Sequence, residues 1–217
     1  MKKPFWDVEE NIGFVKVEAD DGIIYKVWNS GTPEKIMEVA NTLASIRKDI
    51  NCLLYYLCTN EDLWINHNIA FGMYHTFDMH IPCWKSFKKC KFGYTTNKFI
   101  NNKCLKLGKL FNYQEMTPNN FGILGLNKPK KIINGKFEMD GKIVNYPIAD
   151  RRSIFLTIRN QRTQRLNDYQ RILDLAIHEL THTTCNDIKW KEDNHTPPYQ
   201  SYHTLMRKWA KECGILF

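Results

Sequence analysis

No apolar run in this chain reaches eighteen residues, and its first residues, MKKPFWD, hold no apolar stretch of signal-peptide length. By these absences neither a membrane-spanning helix nor a secretory leader is expected, and a soluble, intracellular protein of cytoplasm or nucleus is the expectation. C-x-x-C pairs are missing too. Seven cysteines, an odd number, are scattered at 52, 58, 83, 90, 104, 185 and 213. That pattern fits neither a disulfide framework nor a zinc knuckle, and reduced thiols are expected. An excess of acid is also lacking: the net charge is +8, which suits a polyanionic partner, nucleic acid first. What is present is a globular composition, 43% hydrophobic and 13% aromatic, in 217 residues. This is enough for one domain with a packed core.

Along the chain, Phe14–Glu18 alternates, Ala19-Asp20-Asp21-Gly22 supplies a turn, and residues 23–28 alternate again, which predicts a hairpin. Thr32 can cap a helix that Pro33 opens, and an apolar stripe from Ile36 through Leu57 carries it to about Cys58. His67, His75 and His80 follow at spacings that fit no zinc template and are expected to be packed or surface residues. Lysines interleave with aromatics over 85–91, where Lys88, Lys89 and Lys91 are candidates for contacting nucleic-acid phosphates. A second basic cluster is Lys128-Pro129-Lys130-Lys131. Residues 105–146 look irregular except for a hairpin signal around Asp140-Gly141, and are expected to form an insertion in the sheet. The segment SIFLTIR at 153–159 is a strong strand.

The richest stretch is 172–195, ILDLAIHELTHTTCNDIKWKEDNH, which contains the H-E-x-x-H His178-Glu179-Leu180-Thr181-His182. Residues four apart on a helix share a face, so His178 and His182 can hold one metal ion while Glu179 reaches a water as general base. Asn167 is a candidate N-cap with Gln170 three residues on. Ile172, Leu173, Ala176, Ile177 and Leu180 form the buried stripe, leaving Leu175 and Cys185 with the histidines, and the helix is expected to end near Asn186-Asp187. His195 is the first choice for a third ligand, with His203, Glu192 and Asp193 as alternatives and Cys185 as a metal neighbour. His203 otherwise reads as a partly buried histidine of a last helix over 199–213, whose inward side is Tyr199, Tyr202, Leu205, Met206, Trp209 and Ala210 and which Gly214 ends. Asn194-His195-Thr196 is a glycosylation sequon, and a glycan beside a metal ligand would be awkward, which favours a compartment without glycosylation.

HELTH, a spacer, His195-Thr196-Pro197-Pro198-Tyr199 and an amphipathic helix together resemble the C-terminal core of the WLM and SprT-like (Spartan-type) zinc metallopeptidases. Residues 152–159 resemble the strand that precedes their active-site helix, and Gly93-Tyr94-Thr95-Thr96-Asn97-Lys98 resembles a segment of viral WLM-like members. The spacer is longer than in typical WLM proteins, and a proline stands second after His195-Thr196. The resemblance implies a zincin-like minimal core with Zn2+ on His178, His182 and His195, Glu179 as base and Tyr199 as an aromatic anchor. It also implies an extended peptide pairing with the open edge of the 153–159 strand, at Ile154, Leu156 and Ile158, and DNA-crosslinked proteins as substrates. The whole reading is an α+β single domain over 1–217: a small, mostly antiparallel sheet, a long N-terminal helix, the H-E-x-x-H helix and a C-terminal helix. The contrasting reading is a nucleic-acid-binding module with a structural, four-coordinate zinc.

Overall fold

A computed structural model describes residues 13–60, 111–116, 124–139, 142–160, 162–182, 195 and 197–217. Strands β1 (Phe14–Glu18) and β2 (Ile24–Trp28) form the expected hairpin, with Phe14 opposite Trp28 and Glu18 opposite Ile24. Gly22 takes a φ of 71°, which its lack of a Cβ permits, and Asp21 accepts from the Ile23 amide and the Tyr25 hydroxyl.

Helix α1 (Pro33–Thr59) opens as the sequence predicts: the Thr32 hydroxyl accepts from the Lys35 amide and Pro33 occupies the first turn, where no amide is missed. Its stripe of Val39, Leu43, Ile46, Ile50, Leu53, Leu54 and Leu57 is fully buried against the sheet and the helix of the H-E-x-x-H motif.

Three further strands follow: β3 (Phe111–Glu115), β4 (Gly125–Met139) and β5 (Lys142–Leu156). The sheet order is β1-β2-β3-β5-β4, antiparallel at both ends and parallel at β2–β3 and β3–β5. The expectation of a mostly antiparallel sheet is corrected to a mixed one. Helix α1 lies between β2 and β3 in the chain, and a connection of that length allows the crossover that parallel neighbours need. The stretch 105–146, expected as an insertion, supplies β3 and β4 to this sheet and the hairpin at Met139 and Lys142. Pro129 and Lys131 flank a register shift in β4, the outermost strand, where a residue without an amide proton is tolerated.

A buried ion pair locks the centre. Arg159, just past β5, donates to both Glu115 oxygens at 2.7 and 2.8 Å and to the carbonyls of Ser30 and Trp28 at 2.6 and 2.9 Å. The Trp28 amide donates to Glu115 Oε2 at 2.7 Å, so the ends of β2, β3 and β5 meet at one satisfied network.

Helix α2 (Tyr169–Thr181) carries the motif and α3 (Pro197–Glu212) closes the described chain. The cap of α2 is Asp168, accepting from the Arg171 amide at 3.0 Å, and not Asn167. Asn167 is engaged elsewhere: its side chain donates to the Thr157 carbonyl and its amide to Ile158, which pins it to the end of β5. Gln170, instead of closing a capping box, holds the chain end through Ile215 and Phe217. On α3, Tyr199, Met206, Trp209 and Ala210 are buried as expected, and Gly214, with φ of 78°, ends the helix.

Candidate metal centre

The site sits between the last turn of α2 and the first turns of α3. Helical spacing brings His178 and His182 edge-on with ring centroids 5.0 Å apart, and His195, just before α3, lies 5.0 Å from the first ring and 5.3 Å from the second. One ligand nitrogen from each lies within 4.8 Å of the others, and the Nε2 atoms of His178 and His195 approach to 3.0 Å. Nitrogens about 2.0–2.1 Å from one tetrahedral ion lie roughly 3.3 Å apart. The three imidazoles lie close enough together to hold one metal ion. Burial, followed by the neighbouring His203 and His195, lowers His178 to about 4, which keeps it in the neutral form that a metal requires.

Tyr199 organises the cluster. Its ring stacks on His182 at 4.4 Å and meets His178 and His195 edge-on, while its hydroxyl donates to the His178 carbonyl at 3.1 Å. The Gln200 side chain donates to the His195 carbonyl at 3.1 Å, fixing the backbone that carries the third histidine. His203 is outside the ligand set: its ring lies edge-on to His178 at 5.1 Å, as a partly buried histidine of α3.

Glu179 is only 4% exposed and lies between α2 and the start of β4. A Cβ on Gly125 would stand 2.5 Å from Glu179 Oε1, so only glycine leaves room for this carboxyl. The Asn127 side chain donates to the Glu179 carbonyl, tying β4 to α2. Burial pushes the Glu179 carboxyl up to about 8. Gly125 and Asn127 escape sequence reasoning because their part is set by how β4 crosses α2. Their faint sequence signal is a Gly-Leu-Asn-Lys-Pro run that suits an outer strand.

The expected peptide-binding residues need correction. Ile154, Leu156 and Ile158 are fully buried in the core, and β5 is paired on both sides, by β3 and β4. The strand arrives at the site but has no open edge. Among the described residues the outer edge on this side belongs to β4. Lys88, Lys89 and Lys91, His67, His75 and His80, the segment 93–98, and Cys185, Glu192 and Asp193 lie outside the described residues, as does the expected helix end near Asn186; the described part of α2 ends at Thr181. Among the described residues, no helix is long and apolar enough to cross a membrane.

Comparison with family models, with curated proteins and with solved structures finds no match for this chain.

Proposed function

We propose that the protein is a zinc-dependent metalloendopeptidase related to the WLM and SprT-like enzymes. The observation that carries this reading is the convergence of His178, His182 and His195 on one point, with Glu179 next in the chain to His178 and buried. Zinc held there would polarise the scissile carbonyl and acidify water. Glu179 takes the proton from the attacking water and returns it to the leaving amine, the general-base role of the acid that follows the first histidine of such a motif. The peptide lies along the outer edge of β4, which begins at Gly125 beside Glu179, so main-chain pairing brings its carbonyl toward the base with little demand on side chains. A closed structural site would need a fourth protein ligand, and among the described residues only three nitrogens gather.

One experiment separates the parts. The full chain should bind one zinc, and His178→Ala, His182→Ala and His195→Ala should each sharply weaken it. Glu179→Gln should keep the metal and lose roughly a hundredfold or more in peptide cleavage, the scale of general-base catalysis. Undiminished cleavage by the Gln variant would remove Glu179 from the mechanism.

Proteins held on DNA are the proposed substrates, supported by the +8 charge and the lysine clusters at 85–91 and 128–131. Shared tethering on DNA would raise effective concentration for a cleft with little selectivity of its own.

A further inference from the structure

A metal-binding imidazole usually spends its other nitrogen on a partner that fixes the ring, and that partner tunes metal affinity. In this site His178 turns Nε2 toward His195, which leaves Nδ1 as the nitrogen to be held. Among the described residues Nδ1 forms no hydrogen bond. Beside it, however, stands an imidazole with a nitrogen to spare. His203 meets the His178 ring edge-on at 5.1 Å, and its Nε2 is buried without any hydrogen-bond partner. A buried polar atom left unpaired opposes folding, so this nitrogen needs a compensating role.

The ring is held in place by its surroundings. Tyr199, one turn earlier on α3, stacks on His203 at 5.8 Å with the planes 24° apart. Asp174, one turn before His178, and Arg207, one turn after His203, face each other across α2 and α3 at 2.8 Å. The guanidinium meets Asp174 Oδ1 off the hydrogen-bonding axis, so the pair is ionic and that oxygen keeps its lone pair. The pair links α2 and α3 one turn away from the two rings.

We infer that His203 is the positioning residue of this centre, holding His178 through Nδ1, directly or across one water, without itself binding the metal. This rests on the three-histidine zinc site proposed above. An edge-on ring pair places the nitrogens within reach of a modest ring rotation or a single bridging molecule. His203 would thereby set the tautomer of His178 and keep Nε2 pointed at the ion.

The test compares the full-length wild type with His203→Phe and His203→Gln. Zinc affinity is measured by competition with a chromophoric chelator, and the first coordination sphere is read from the visible spectrum of the cobalt-loaded protein. His203→Phe should bind zinc about 10- to 100-fold more weakly, the usual effect of losing such a partner. Its cobalt spectrum should keep the wild-type bands. His203→Gln, which can still hydrogen-bond, should recover most of the lost affinity. Equal zinc affinity in wild type and His203→Phe would overturn the inference alone. A changed cobalt spectrum in the Phe variant would also overturn it, by making His203 a ligand. Zinc binding weakened equally in His203→Phe and His203→Gln would reduce the residue to packing. Wild-type protein that binds no zinc would overturn the metal-site reading and this inference with it.

Discussion

Gly125 and Glu179 share a space with no room for one more carbon, and that crowding makes the pair testable without any assay of activity. The nearest Glu179 atoms lie 2.5, 2.9 and 3.0 Å from where a Gly125 Cβ would stand. Gly125→Ala should therefore lower the melting temperature and peptide cleavage together. In a Glu179→Ala background the same change should cost little. The resulting coupling should fall in the usual range of about 0.5–3 kcal/mol for contacting residues. Additive effects in chemical denaturation would show that the contact is absent. The same carboxyl gives the metal-free chain a pH signature. Glu179 is raised from 4.5 to about 8, so the folded state keeps a proton that the unfolded chain gives up. Its contribution is full below pH 4.5 and is lost as pH rises through 8. His178 is lowered from 6.5 to about 4, so its contribution is present above pH 6.5 and lost as pH falls toward 4. The two oppose each other between pH 4.5 and 6.5, and above 6.5 the Glu179 effect stands alone. With metal stripped, the melting temperature should fall from pH 6.5 to 8 in wild type and stay level there in Glu179→Gln. A scan that falls equally in both would assign the slope to another group.

At the scale of elements, local patterns were legible where one residue type settles the matter. Thr32-Pro33 opened α1, Gly22 and Gly214 took their left-handed turns, and the stripe from Ile172 to Leu180 faced the core as its spacing required. The three histidines came together because helical spacing fixes two of them and the Tyr199 anchor fixes the approach of the third. The cap of α2 was misread by one residue, since the demand of Thr157 and Ile158 on Asn167 comes from β5 and cannot be seen locally. Strand β3 was missed although Phe111 and Tyr113 alternate, because the next inward position is the charged Glu115, whose partner lies far along the chain. The proposed substrate edge moves from β5 to β4 for a similar reason: which strand is outermost is a property of the sheet. If the peptide pairs with β4, substrates N-methylated at alternate amides should lose most of their kcat/KM while unmethylated controls do not. Equal cleavage of both would place the substrate elsewhere.

For the whole molecule, the proposal of DNA-held substrates, to which the +8 charge is suited, expects DNA binding that weakens steeply with salt, because each phosphate contact releases a counterion. Replacing Lys88, Lys89 and Lys91 with Glu should reduce that binding and leave zinc content and cleavage of a free peptide unchanged. Salt-independent binding, or none, would remove DNA from the proposal and leave the peptidase reading standing. The sheet order also sets a timetable. The hairpins β1–β2 and β4–β5 join residues close in sequence, whereas Lys26 pairs with Gln114 and Phe111 with Arg152 only after long stretches of chain have closed. Contacts that span such loops form late in folding. The Arg159–Glu115 network belongs to that late step, since it needs the ends of β2, β3 and β5 assembled. Breaking it with Glu115→Gln should therefore speed unfolding in stopped-flow measurements while barely slowing refolding. The buried pair then acts as a latch on the native state, governing how long a folded molecule lasts more than how quickly it forms.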